Sequence, residues 1–446
     1  MSTSADAWKI GFAREQITPP IGGLMAGFDA RKQGSVGVHD ELHARALVFD
    51  DDKAQTAFVS VEVLAVSEGF ATSVRARIEQ ATGIPASHVF LSATHTHCGP
   101  ITINQFFDPG LPIDEDYLEF LAVGIVSAVE RAYSGRSSRL LRIGLVECSG
   151  IAINRRTPDG LPVDPYAGVL LVEELDATAA AIAVIYACHT TVLGPDTLTN
   201  SQDFPFYTLE KLKAVLGSDV ETLFFNGAEG DLSVGHKSDL SAVGFVDSFR
   251  TFATAQRLGE KLADAVLAGL GSLTYESPGI EVLTQKVPLP LKQYEPLATM
   301  TQRKEDAFRQ IEGESLDAAM VVIRQRYLFA KIEEYYARLY EESSAPEPKK
   351  LMIEFASIRL GETVFLTLPG EVFVRIALAI REASPFPKTL FLGLTNNYIA
   401  YVPDSEATSA SGYEVVASRV PAEAGLVLQE VAADLLKQLN VQTGTV

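Results

Sequence analysis

Strand-like and helix-like segments alternate along the whole chain. Apolar runs at residues 56–64 and 88–92 flank a helix-forming segment at 68–82, and together they predict a βαβ unit. A second helix is expected after Asp114, an N-cap residue followed by apolar side chains at helical spacing. Further predicted strands lie at 138–153, 169–174, 180–187, 221–225, 352–359, 363–368 and 389–394, and further helices at 206–216, 248–270 and 371–383. This order predicts an α/β fold with mixed β-sheets flanked by helices.

One segment interrupts the alternation. Residues 305–342 are rich in Arg, Glu, Tyr and Ala and contain no proline, so we expect a long surface helix or a helical hairpin, broken at Gly313. The proline- and serine-containing stretch 343–350 ends it and resembles a linker. Because strand-like segments resume afterwards, the sequence favours a single domain over residues 1–446 with a helical insertion.

Composition narrows the possible partners. Among 446 residues, 37 Lys and Arg face 57 Asp and Glu, a formal charge of −20, so nucleic acid is not an expected partner. No segment approaches the roughly 20 apolar residues of a transmembrane helix. The first residues lack the basic region and apolar run of a secretory signal. The sequence therefore predicts a cytoplasmic protein, and it leaves the oligomeric state open.

Histidines at predicted strand ends are candidate metal ligands. The three cysteines are too few and too scattered for a thiolate site, so a metal would need nitrogen and oxygen ligands. His95 and His97 follow the strand at 88–92, and alternate residues of an extended segment share a face. His189 also follows an apolar strand. The competing interpretation is that His95 and His97 are surface or capping residues and that His189 is a packed histidine.

Other polar residues occupy similar positions. Glu371 follows an apolar strand and opens a predicted helix. A negative charge in the first turn stabilises a helix through its dipole, and this role is as good an explanation of Glu371 as metal binding. Tyr398 and Tyr401 lie just beyond another strand, a position typical of packing residues. Ser233 lies in a glycine-rich turn that matches neither a phosphate loop nor a nucleophile elbow, so a turn hydrogen bond is the simpler interpretation.

Eight short blocks follow one another along the chain: QITPPIGGLMAGF, GVHDELHARALVF, LSATHTHCGP, INRRTPDG, ACHTT, NGAEGDLS, LPGE and GLTNNYIAY, the last running on to SGYEVVAS. In this order they resemble the neutral/alkaline non-lysosomal ceramidase family, whose THTHSGP signature appears here with cysteine for serine. The resemblance implies a Zn²⁺ ion held by His95, His189, Glu371 and Tyr401. Two imidazoles, a carboxylate and a displaceable phenol suit this metal.

The same resemblance implies roles for four other residues. His97 would orient a ligand or donate to an oxyanion, and Arg155 would bind a substrate oxygen. Tyr413 would donate its hydroxyl to a tetrahedral intermediate. Ser233 matches the family serine beside the metal, and two routes stay open: attack by a water activated at the zinc, or attack by Ser233 with an acyl-enzyme. Both predict hydrolysis of a linear N-acyl amide, either ceramide or a smaller soluble compound.

The sequence departs from the family at several points. Val234 and Gly235 stand where the family has proline and asparagine, and the interval from Glu371 to Tyr401 is shorter. The segment 305–342 has no family counterpart, and no C-terminal immunoglobulin-like domain is expected. A zinc-dependent esterase or lactonase and a non-catalytic metal-containing binding protein are therefore alternatives. The acidic charge disfavours a two-metal nuclease or phosphatase.

Overall fold

The computed structural model describes residues 7–313, 316–344 and 346–443. Its strands are β1 (Trp8–Gln16), β2 (Gly37–Val38), β3 (His43–Asp50), β4 (Gln55–Val61), β5 (Val89–Ala93), β6 (Ser137–Glu147), β7 (Ile153–Asn154), β8 (Tyr166–Glu173), β9 (Ala179–Tyr186), β10 (Thr199–Asn200), β11 (Glu221–Asn226), β12 (Leu232–Ser233), β13 (Thr274–Tyr275), β14 (Ile280–Pro290), β15 (Lys350–Leu360), β16 (Thr363–Thr367), β17 (Glu371–Val372), β18 (Lys388–Leu392) and β19 (Tyr401–Val402). Its α-helices are α1 (Glu68–Thr82), α2 (Glu115–Ser134), α3 (Phe204–Leu216), α4 (Ser238–Ala242), α5 (Phe252–Gly269), α6 (Leu297–Phe308), α7 (Ala318–Glu342), α8 (Val374–Ala383), α9 (Ser405–Ala410), α10 (Tyr413–Val416) and α11 (Glu423–Thr443). Over these ranges, no helix has the length and apolar character needed to cross a membrane.

Two sheets stacked face to face form the centre of the fold. Within the described ranges the larger has nine strands, in the order β11-β9-β8-β6-β1-β3-β4-β5 with β13 on β6, and the smaller has the order β14-β15-β16-β18. Leu47 on β3 enters the core between the sheets, whereas its neighbour Val48 enters the core under α1 and α2. Helices α3 and α5 also cover the larger sheet, and α7, α8 and α11 cover the smaller one. This layering confirms the predicted α/β fold of mixed sheets flanked by helices.

Local capping signals explain why several predicted elements agree with the structure. Helix α1 spans the predicted range because Ser67 accepts a hydrogen bond from the main chain at its start and Gly83, at φ 79°, ends it. Asp114 Oδ1 likewise accepts from Tyr117 N at 3.0 Å and starts α2. Strands β4 and β5 pair in parallel, which confirms the predicted βαβ unit.

The helix predicted from residue 371 begins later. Glu371 lies in the short strand β17, which pairs in parallel with β19, and its N–H donates to Ala400 O at 3.0 Å. Helix α8 starts at Val374. The assignment of Glu371 to a helix start, and with it the helix-dipole interpretation, is therefore wrong. The continuous apolar run after Glu371 hides this change from strand to helix.

The segment for which a helical insertion is predicted forms a hairpin of α6 and α7. It starts at Leu297, directly after Pro296, and so begins before the predicted residue 305. Leu328 and Ile332 of α7 are buried in the core that covers the smaller sheet. The hairpin is thus not confined to the surface as predicted, because one face of α7 contributes to a hydrophobic core.

Candidate active site

The larger sheet curls until its edge strands β5 and β11 approach each other. Ser60 Oγ on β4 donates a hydrogen bond to Phe224 O on β11 at 2.6 Å. The loops that follow β5 and β9 therefore lie close together. They carry His95 and His189, whose ring centroids are 4.9 Å apart.

Main-chain carbonyls fix both of these imidazoles. His95 has a φ of 65°, a left-handed conformation that is uncommon for a residue other than glycine. Its Nδ1 donates to Leu64 O at 2.9 Å, and His189 Nδ1 donates to Glu229 O at 2.8 Å. A carbonyl oxygen only accepts, so each Nδ1 carries the proton and each neutral ring presents an Nε2 lone pair.

Glu371 completes a three-residue cluster. Its Oε2 lies 2.8 Å from His189 Nε2 and 3.6 Å from His95 Nε2. Tyr398 donates its hydroxyl to the other carboxylate oxygen at 2.5 Å. One ligand atom from each of His95, His189 and Glu371 lies within 4.8 Å of the others, and all three side chains are buried.

The charge state of this cluster suits a divalent cation. Burial lowers the pKa of His95 to about 4 and also lowers the pKa of His189 below its ordinary value. Burial opposes ionisation of Glu371, but its neighbours outweigh this effect and hold its pKa at about 2. His189 Nε2 and the Glu371 carboxylate lie 2.8 Å apart, a contact that needs a proton or a metal cation shared by the two groups, because two lone pairs repel each other. Two imidazole nitrogens and a carboxylate are a donor set that fits Zn²⁺.

Arg155 and Tyr401 lie directly beside the cluster. Arg155 Nη2 donates to the Tyr401 hydroxyl at 3.2 Å and lies 3.3 Å from His189 Nε2. Its Nε donates to Glu414 Oε1 at 2.7 Å, and both side chains are buried. Tyr401 is opposite Glu371 in the pairing of β17 and β19. The structure therefore brings together the four residues that the resemblance implied as zinc ligands.

A cavity of about 40 Å³ adjoins the cluster. Its lining residues, polar and apolar, are Gly27, Phe28, His97, Arg155, His189, Thr191, His236, Ser238, Ser241, Ala242, Tyr401 and Tyr413. His97 Nε2 lies 3.2 Å from His95 Nε2. Gly27 leaves room for the His97 ring, because a Cβ at this position would lie 2.3 Å from His97 Nδ1. His97, Arg155 and Tyr413 thus share one small cavity.

Ser233 is placed differently from these residues. It is fully buried and is absent from the lining of the cavity. Its hydroxyl donates to His236 O at 3.0 Å and accepts from Gly235 N at 3.2 Å. These bonds are typical of a turn serine.

Sequence reasoning missed two residues at the site. His236 lines the cavity, and its only signal was its position three residues after Ser233. Glu414 accepts hydrogen bonds from Arg155 and Arg156, although it lies far from both in the chain. A buried ion pair between distant residues leaves no local pattern in a sequence.

Comparisons with known proteins identify similar proteins. A model of the neutral/alkaline non-lysosomal ceramidase N-terminal region matches residues 8–159. The neutral ceramidase of Drosophila melanogaster is 22% identical over 92% of this chain and 71% of that protein. The neutral ceramidase of Mycobacterium tuberculosis is 24% identical over 44% of this chain and 34% of that protein.

Solved structures share the fold. The crystal structure of neutral ceramidase from Pseudomonas aeruginosa matches with a TM-score of 0.74 at 19% identity, covering 98% of this chain and 75% of that one. A structure described as ceramidase complexed with C2 matches with a TM-score of 0.73 at 18% identity, covering 98% of this chain and 76% of that one. Most of the chain therefore has counterparts in these two structures.

Proposed function

Because the chain belongs to the neutral/alkaline non-lysosomal ceramidase family, we propose that it is a zinc-dependent hydrolase of N-acyl amide bonds. The observation that carries the proposal is the convergence of His95, His189 and Glu371, which bring two imidazole nitrogens and a carboxylate oxygen within 4.8 Å of one another. Tyr401, beside Glu371, is the proposed fourth ligand. The substrate is a small-molecule or lipid-like N-acyl compound. The cytoplasmic location stays a prediction from the sequence.

The residues around the cluster supply the remaining chemistry. When bound, Zn²⁺ polarises an amide carbonyl and lowers the pKa of an attacking water. Arg155 is held by Glu414 and places its positive charge next to Tyr401, where it stabilises developing negative charge. Tyr413 lines the cavity and donates its hydroxyl to the oxyanion. His97 contacts His95 and orients the reacting groups.

We expect Ser233→Ala to keep kcat/KM within about tenfold of the wild-type value, since removing one turn hydrogen bond costs on the order of 1 kcal/mol. The Ser233 hydroxyl is already engaged with His236 O and Gly235 N, which supports water as the nucleophile. Steady-state kinetics on one amide substrate measure kcat/KM, and burst kinetics on the same substrate test for an acyl-enzyme. A loss beyond about 1000-fold with full zinc content would instead assign the attack to Ser233.

Matched substrates test the proposed reaction. Hydrolysis of an amide and of an ester with the same acyl group is measured with the zinc-loaded protein. Both measurements are repeated after chelation and again after Zn²⁺ is added back. We expect amide hydrolysis that chelation abolishes and Zn²⁺ restores. Cleavage of the ester alone would favour the esterase or lactonase alternative, since an activated nucleophile and oxyanion donors serve either bond. Absence of turnover with zinc bound would favour the binding-protein alternative.

A further inference from the structure

One part of the cavity lining is not used by the metal cluster. It consists of Thr191, His236, Ser238 and Ser241, which we call the polar wall. Most of it comes from the segment that follows Val234 and Gly235.

A buried arginine lies behind the polar wall. Arg250 is 4% exposed, and its Nη1 donates to Ser241 Oγ at 2.7 Å. Its Nη2 donates to Thr191 O and Leu193 O at 3.1 and 2.8 Å, and it forms no ion pair with any residue that the structure describes. Because Ser241 Oγ accepts from a guanidinium, the Ser241 proton is free for an acceptor in the cavity.

His236 offers a second unused donor. Its side chain is buried, and Nε2 lies 3.4 Å from Thr191 Oγ1. Nδ1 has no hydrogen-bond partner among the described residues. Buried polar atoms are normally satisfied, so an unpartnered nitrogen on a residue that lines a cavity indicates a ligand group. When the Thr191 hydroxyl donates to Nε2, Nδ1 carries the proton and becomes a donor.

Positive charge surrounds this part of the cavity. Arg31 is buried and donates to main-chain carbonyls, including His97 O at 2.6 Å. The guanidinium carbons of Arg31 and Arg250 lie 4.9 and 5.3 Å from the ring centroid of Phe28, which lines the cavity. Carboxylates also act on these two cations: Asp196, Asp203 and Asp247 on Arg250, and Asp196 on Arg31. Glu414 accepts a hydrogen bond from Ser238 of the polar wall and is itself paired with Arg155 and Arg156.

We propose that the polar wall binds a carboxylate of the substrate, with His236 and Ser241 as its hydrogen-bond donors and Arg250 and Arg31 balancing its charge. The inference rests on the proposed function and narrows it. The substrate is then an N-acyl compound with a carboxylate close to the scissile amide, as in an N-acyl amino acid, and not a neutral lipid amide. Such a ligand gives the unpartnered His236 nitrogen an acceptor and places its negative charge near two guanidinium groups whose N–H groups already donate to carbonyls and to Ser241.

Calorimetric binding of two matched probes tests this. N-acetylglycine carries the carboxylate, and N-acetylglycinamide is its neutral counterpart of similar size. We expect the zinc-loaded protein to bind N-acetylglycine at least about tenfold more tightly, and His236→Gln and Ser241→Ala each to reduce that ratio by about fivefold or more without weakening N-acetylglycinamide. His88→Gln, at a histidine outside the cavity lining, is the matched control and leaves the ratio unchanged.

Each other outcome overturns a specific statement. Equal affinity for the two probes, or equal weakening of both by the variants, contradicts the carboxylate site. N-acetylglycine binding could also be abolished by chelation and left intact by the two variants. That result would assign the carboxylate to the metal and would also overturn the inference. Hydrolysis of the two probes is measured separately. Selective binding of N-acetylglycine without cleavage of either probe contradicts the proposed function alone. Equally fast cleavage of both probes contradicts the inference alone.

Discussion

Replacing His95 or Glu371 by alanine is expected to abolish stoichiometric zinc binding and to lower kcat/KM by at least about 1000-fold, since a metal supplies several kcal/mol of transition-state stabilisation. Each substitution removes one of three buried ligand groups that lie within 4.8 Å of each other. No neighbouring cysteine replaces them, because Cys98 and Cys188 are buried and burial raises their pKa values. Elemental analysis and amide hydrolysis measure the two effects.

Two matched substitutions control this experiment. His88→Ala and Glu147→Ala remove the same side-chain types outside the cavity, so both proteins should keep their zinc and their activity. Full zinc content in His95→Ala or Glu371→Ala would contradict the proposed ligand set. Loss of zinc in the two controls would show that the assay reports general unfolding.

The second large effect is expected from Arg155→Ala. This substitution leaves Glu414 buried with Arg156 and Ser238 as remaining partners, and breaking a buried ion pair costs about 3–5 kcal/mol in the free energy of unfolding. It also removes the positive charge next to Tyr401, so we expect a loss in kcat/KM of about 100-fold or more. Urea unfolding and hydrolysis rates at pH 7 measure both.

A compensating variant separates stability from catalysis. In Arg155→Met/Glu414→Gln both charges are gone, so much of the stability should return while activity stays low. Burial opposes ionisation of Glu414, but Arg155 and Arg156 hold its pKa below the ordinary 4.5. The ion pair of Arg155 and Glu414 therefore contributes to the free energy of unfolding at neutral pH. This contribution is lost as the pH falls below about 4.5, through the lowered pKa of Glu414. An unchanged free energy of unfolding in Arg155→Ala would contradict this account.

The sequence predicted what local patterns encode. Periodic apolar residues and caps such as Ser67 and Asp114 determine helices at the positions expected for them. His95 and His189 could be identified as candidates because each follows a buried strand. Glu371 was identified as a candidate although its local structure was assigned incorrectly.

The rest depends on contacts between distant residues. The pairing of Arg155 with Glu414 and the hydrogen bond from Arg250 to Ser241 are set by how loops meet after folding. The size of the cavity depends in part on α4, which contacts α7. No periodicity in the sequence records these distances, so the polar wall was not predicted.

An anomalous difference map at the zinc absorption edge, from a crystal of the zinc-loaded protein, tests the central claim most directly. We predict a single strong peak between His95 Nε2, His189 Nε2 and the Glu371 carboxylate, with the Tyr401 hydroxyl next to it. A zinc peak elsewhere in the molecule, with these side chains not coordinating the ion, would contradict the account.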